Sequence, residues 1–106
     1  MINTNTEFVG GHEIVETLDV VRGSTVRARH LGRDIFAGLK NLVGGEVSEY
    51  TKLMAHAREQ AMQRMNDEAQ KINADAVINI RVTTAMVMQG CSEIMAYGTA
   101  VKLRKI

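Results

Sequence analysis

The chain has one cysteine, no proline, no tryptophan and only two tyrosines and two phenylalanines in 106 residues. A single cysteine, Cys91, leaves no internal disulfide to form, which fits a reducing cytoplasm. So few aromatic rings give little material for base-stacking platforms. Charge of one sign is also missing. Thirteen Lys and Arg stand against twelve Asp and Glu for a net charge of +1, with no block of like charge. That argues against an electrostatically driven nucleic-acid binder. No apolar run approaches the roughly 18 residues of a membrane span. The polar stretch Asn3-Thr4-Asn5-Thr6-Glu7 is unlike a secretory signal. The expectation is a cytoplasmic protein whose partners include neither nucleic acid nor membrane.

What is there is enough for a packed core, since 45% of the residues are hydrophobic. The length fits a single domain over residues 1–106. Its organising stretch is Glu46 to Asn73. Tyr50, Leu53, Met54, Ala57, Ala61, Met65, Ala69 and Ile72 recur at spacings of three and four, which predicts one apolar stripe along a helix. Lys52, His56, Glu59, Gln60, Gln63, Asp67, Gln70 and Lys71 occupy the polar side. The stretch is rich in good helix formers and contains no Gly or Pro. Gly45 or Ser48 serves as N-cap, and Asp67 with Lys71 forms an i,i+4 pair. Asn73 suits a left-handed stop. About 25 helical residues span about 38 Å, a match for long strands. Ala57, Ala61 and Ala69 let the helix sit close to a sheet.

The remaining elements are read in order. Gly10-Gly11 marks a turn after a weakly patterned start. Glu13 to Arg22 alternates as a strand, with Ile14, Leu18 and Val20 on one face and Val15 and Val21 on the other. Gly23-Ser24 reads as a bend or bulge, after which Thr25 to Arg29 continues extended. Asp34 to Val43 reads as a short helix with Asp34 as its N-cap and Gly38 inside it, ended by Gly44-Gly45. Ala76 to Met88 is the clearest strand, with Ile78, Ile80, Val82, Met86 and Met88 on one face. Gln89-Gly90-Cys91-Ser92 forms the turn of a hairpin whose second strand is Glu93 to Lys102. In that last strand Met95, Tyr97, Thr99, Val101 and Leu103 share a face. Ala96, Gly98 and Ala100 share the other, a bulk-free stripe that implies close approach of another backbone.

The fold class that follows is α+β: a mainly antiparallel three-stranded sheet with one long and one short helix on one face. The opposite face is then left with Val15, Val21, Val77, Ala85, Val87 and the Ala-Gly-Ala stripe. Exposed apolar strands and free edges invite pairing, so the chain is expected to bury them against copies of itself as a homo-oligomer.

Chemistry is thinly supplied. Soft metals want clustered Cys, His and Met. His12, His30, His56 and Cys91 are scattered, and Met54, Met62 and Met65 belong to the helix packing. Met86, Met88 and Cys91 around the hairpin turn form the only soft cluster, so Cys91 is the one metal candidate. Symmetry could gather several copies of it. Cys91 as a nucleophile needs a base that no signature provides. The Gly-Gly pairs lack the residues of a phosphate loop. A carboxylate at Glu46 and another at Glu49 oppose anion binding where the long helix starts.

Several stretches together resemble the YbjQ family of small bacterial and archaeal proteins. They are Gly32-Arg33-Asp34-Ile35, Gly44-Gly45-Glu46 with Tyr50-Thr51, Ala57-Arg58, Ala61 to Met65, Ala74-Asp75-Ala76-Val77 and Ala96-Tyr97-Gly98-Thr99-Ala100-Val101. The resemblance spans about residues 14 to 103. Asn73 departs from it, standing where the family commonly has Gly. The resemblance implies a small α+β subunit that assembles into a ring, a pentamer, with no established activity. Some descriptions of the family label it heavy-metal-binding. At the level of fold, dodecin, a small flavin-binding ring, is similar. Three functions are weighed: a non-catalytic homo-oligomer, structural or holding a small molecule between subunits; a metal binder using Cys91; and an enzyme with an inter-subunit site drawing on Arg33, Asp34 or Tyr97. No catalytic or cofactor-binding residue is assigned.

Overall fold

A computed structural model of the chain describes residues 1–27, 45–89 and 91–106. The short helix expected over Asp34–Val43 lies outside the described residues, as do His30, Arg33 and Gly90. In chain order the elements are β1 (Ile2–Asn3), β2 (His12–Arg27), α1 (Gly45–Lys71), β3 (Ala76–Met88) and β4 (Cys91–Lys105). They form a four-stranded sheet in the order β1-β3-β4-β2. The pairs β2–β4 and β3–β4 are antiparallel, and β1 runs parallel to β3.

The α+β class and the antiparallel core are as expected, but the strand count is corrected from three to four. β1 is two residues long, too short to show periodicity, and is held by backbone bonds. Thr4 N–H donates to the Val77 carbonyl at 3.1 Å, and the Thr6 and Thr4 carbonyls accept from Asn79 and Ile80 at 2.9 and 3.1 Å. Cys91 and Ser92 also move from the turn into β4, where Cys91 pairs with Met88.

α1 follows its stripe. Ala57, Ala61, Met65 and Ala69 are fully buried, and Met54 and Met62 pack beside them. The helix ends on Asn73, whose φ is +60°. Ala74 N–H reaches the Ala69 carbonyl at 3.1 Å and Asn73 N–H reaches Gln70 at 3.0 Å, the two bonds of a Schellman stop. Asp67 accepts from Gln63 at 3.0 Å, while Lys71 pairs with Glu68 at 3.2 Å, so the expected Asp67–Lys71 pair is replaced by its neighbours.

The helix lies on the bulk-free stripe. Ala96 and Ala100 are buried with Val21, Val77, Ile80 and Ile94 beneath it. This corrects the expectation that Val21, Val77 and that stripe face away from the helix. The backbone that approaches is α1 itself. Gly23 marks the closest point: a Cβ there would stand 2.6 Å from Arg64 Cβ and nearer still to the Met65 nitrogen and Ala61 oxygen. Gly23 is thus a contact glycine inside a continuous β2, not a bend.

Bulges explain why strict alternation misplaced side chains. In β2 the register shifts between Ile14 and Glu16 and again between Thr17 and Asp19. In β3, Ile78 pairs with Thr99 but Arg81 with Tyr97, so Asn79 and Ile80 together oppose Gly98. Asn79 takes a φ of +53° to do so. Each extra residue swaps the faces beyond it. Ile78 therefore joins Ala76 and Val101 in a second cluster with Val9, Ile14 and Leu103, while Ile80 joins the helix side. Gly98 makes room for the bulge, since a Cβ there would lie 2.7 Å from Val77 Cγ1 and 2.8 Å from the Ile78 oxygen.

Candidate functional site

The chemistry-bearing residues are spread along the sheet. Cys91 opens β4, half-exposed, opposite Met88. Met86 pairs with Ser92, and a register shift separates the two pairs. Alternation along β4 puts Ser92 and Cys91 on opposite faces, so the Met86–Met88–Cys91 cluster reduces to Met88 beside Cys91. His12 pairs with Lys105 at the other end of β4, about 46 Å from Cys91 at the rise of an extended strand. His56 is exposed on the outer side of α1. Among the described residues no three His, Cys, Asp or Glu come together to hold a metal.

Tyr97 sits mid-sheet on the face away from α1, between Arg22 of β2 and Arg81 of β3 in register. Arg81 Nη1 donates to the Asn5 and Ile80 carbonyls at 3.1 and 3.0 Å, so it ties down the N-terminal segment. The other residues weighed for an inter-subunit enzyme site, Arg33 and Asp34, lie outside the described residues.

Asp75 was missed by pattern. It follows the helix stop, and its Oδ2 accepts from Leu103 N–H at 2.8 Å while its own N–H donates to the Val101 carbonyl at 2.9 Å. Lys102 stands 3.5 Å from Oδ1 and donates to the Asn73 carbonyl at 2.9 Å. The Leu103 amide holds the Asp75 carboxyl below its ordinary range against an opposing effect of desolvation, with Lys102 and, less strongly, His12 adding favourable charge. This is a lock that joins the helix stop to the ladder. Its signal in the sequence is Asp two residues after an Asn stop, which says nothing of the partner 28 residues away.

One cleft of about 380 Å³ opens between β2 and the last turns of α1, lined by Arg22, Gly23 and Ser24 on the strand and by Arg64, Asp67, Glu68 and Lys71 on the helix. Arg64 Nη1 donates to the Ser24 carbonyl at 2.5 Å. Deeper in, Thr25, only 3% exposed, donates to Gln60 at 3.3 Å and so pairs a buried hydroxyl between helix and strand.

The YbjQ family model, described as "Putative heavy-metal-binding", matches residues 1–104. The chain belongs to that family. It is 53% identical over 103 residues to a UPF0145 protein of Methanosarcina acetivorans, covering 97% of each chain. It is 56% identical to a UPF0145 protein of Archaeoglobus fulgidus, covering 98% of this chain and 96% of the other, and 56% identical to one of Fervidobacterium nodosum, covering 100% and 98%. A crystal structure of a protein of unknown function from Pediococcus pentosaceus, assigned to the DUF74 family, superposes with a TM-score of 0.63 over 98% of each chain at 18% identity. That likeness concerns the fold.

The family description implies a heavy metal, and the donors present test it. A closed soft site takes about four thiolate, imidazole or thioether donors in tetrahedral reach. Among the described residues one chain offers Cys91 beside Met88, and no group of three His, Cys, Asp or Glu forms there. The described part of a single subunit does not fit such a metal. No helix among the described residues is long and apolar enough to cross a membrane.

Proposed function

We propose that the protein works as a non-catalytic homo-oligomer, a structural or small-ligand-binding assembly, whose copies join along the outer edge of β3. The observation that carries this reading is the far half of that strand. From Arg81 to Met88 every residue is exposed. Met86, Met88 and Val87 are 74%, 65% and 53% exposed. Residues 82–88 read Val-Thr-Thr-Ala-Met-Val-Met, uncharged and rich in β-branched side chains. Among the described residues no strand lies outside β3 beyond the N-terminal segment that ends its pairing at Ile80. Such an edge is a template for another strand and an aggregation hazard if left bare. The opposite edge differs: β2 carries two bulges and the charges Glu13, Glu16, Asp19 and Arg22, and Arg64 occupies its Ser24 carbonyl. That edge is blunted in the ways soluble proteins blunt edges, so β3 is the one left for assembly. A ring, and a pentamer in particular, is the assembly the family resemblance favours.

Native mass spectrometry of freshly purified, unchelated protein tests the reading. The expected result is one closed oligomer for the wild type and dissociation toward monomer for Met86→Lys, which sets a charge on the exposed edge without touching the core. A monomeric wild type contradicts it. A retained thiophilic metal that disappears in Cys91→Ser would shift the function to a metal site shared between subunits.

A further inference from the structure

We propose that the sheet face away from α1 binds one small aromatic phosphate, a mononucleotide in chemical class, with its ring stacked on Tyr97 and its phosphate on Arg22. Val21 and Thr25 turn toward α1, 5% and 3% exposed, and Gly23 between them meets the helix backbone. Alternation therefore sets Val20, Arg22 and Ser24 on the other face. Register supplies their neighbours. Val20 pairs with Thr99, Arg22 with Tyr97 and Ser24 with Met95 in β4, while Arg81 and Thr83 of β3 pair with Tyr97 and Met95. Tyr97 is thus the centre of a patch that crosses β2, β4 and β3, roughly 10 Å wide at the spacing of paired strands. It is half-buried, and Met95 and Thr99 beside it on β4 are half-buried too. The patch holds two arginines and no Asp or Glu. Arg81 is fixed through Nη1 by the Asn5 and Ile80 carbonyls, which leaves its other N–H donors and its charge. Arg22 is exposed, and its guanidinium has no hydrogen-bond or ion-pair partner among the described residues; nor has the Tyr97 hydroxyl. An aromatic ring flanked by unopposed positive charge complements a flat ring that carries an anion. Ring faces stack whatever the base, and a guanidinium takes two phosphate oxygens at once. One ring serves one base rather than a strand, in keeping with a net charge of only +1. The inference gives a ligand class to the small-ligand part of the function proposed above and rests on that part alone. The patch belongs to one chain and lies on a face, not on the β3 edge, so binding does not depend on assembly.

Isothermal titration of the full chain with adenosine monophosphate and with uridine monophosphate, at low ionic strength, tests it, with the native mass measured alongside. Saturable binding at about 1 mM or tighter is expected for at least one of them. The matching nucleoside and ribose 5-phosphate each carry half of the recognition and should bind roughly tenfold more weakly. Arg22→Gln should weaken the nucleotide roughly tenfold, as for loss of a charged hydrogen bond, and leave the nucleoside unchanged. Tyr97→Leu should weaken both roughly tenfold, while Tyr97→Phe, which keeps the ring, should bind as the wild type does. A thermal melt shows whether Tyr97→Leu has kept its fold; Arg22→Gln, at an exposed side chain without a partner, carries the test if it has not. Absence of saturable binding by either nucleotide in the folded wild type, or equal binding by wild type and Arg22→Gln, overturns the proposal, and a closed oligomer in the same sample would leave the assembly reading standing. Binding lost in Arg22→Gln supports it whatever the native mass.

Discussion

The β3–β4 hairpin is one continuous ladder with two unlike halves. Near its root, Ala76, Val77 and Ile78 face Val101, Ala100 and Thr99, and most of these side chains are fully buried. Near its tip, Val82 to Met88 faces Ala96 to Cys91 with the same backbone pairing, yet every β3 side chain there is exposed. The strand sequence is apolar in both halves. What differs is what lies on it. The root has α1 on one face and the cluster of Val9, Ile14 and Leu103 on the other, with the N-terminal segment along its edge. The tip has none of these on its β3 side among the described residues. Backbone hydrogen bonding alone contributes little net stability, because the unfolded chain bonds to water. Burial distinguishes the halves: the β3 side chains of the root are packed, and those of the tip lie open.

The largest effects should come from the packed side of the sheet, where α1 presses on β2. Gly23→Ala would push a methyl into the α1 backbone at Ala61 and Met65. A loss of about 3 kcal/mol is expected in a denaturant melt, whereas Gly10→Ala, with open space around it, should leave stability unchanged. Next is a matched pair of methionines. Met65→Ala removes a fully buried side chain and should cost about 2–5 kcal/mol. Met86→Ala, at 74% exposure, should cost under about 0.5 kcal/mol of subunit stability while weakening assembly. Equal losses for the two would erase the distinction between the side chains packed under α1 and the open half of β3.

The smallest effect concerns pH. Asp75 has a folded-state value lowered from the ordinary 3.8, first by the Leu103 amide. Its stabilisation is therefore present above the unfolded value and is lost as pH falls through the lower folded value. Wild-type melting temperature should drop below about pH 4, and Asp75→Asn should lack that component of the drop. A parallel pH profile for the two proteins would remove Asp75 from the lock.

Much of this was readable in the chain and some was not, for identifiable reasons. The bounds of β3, the span of α1 and the stop at Asn73 follow from local period and composition. The assignment of faces did not, because the bulges in β2 and at Asn79 each add one residue and reverse the alternation after it. Asn79 at φ +53° was the one local hint. The Ala96-Gly98-Ala100 stripe correctly signalled a close backbone, but a sequence does not say whose, and it proved to be the chain's own helix. For the sites, Cys91 and Met88 were found by composition, and β4 adds only their pairing. Arg64 meets the Ser24 carbonyl across 40 residues of sequence, and Asp75 meets Leu103 across 28, so no local pattern could have shown either.

Hydrogen exchange resolved to peptides of β3 tests the central claim most directly. At concentrations where the wild type is oligomeric, residues 81–88 should be protected, and that protection should fall in Met86→Lys while residues 76–80 stay unchanged. Exchange across 81–88 that is equally fast in both proteins, with a monomeric mass for the wild type, would contradict the claim that the open half of the hairpin is where copies of the chain meet.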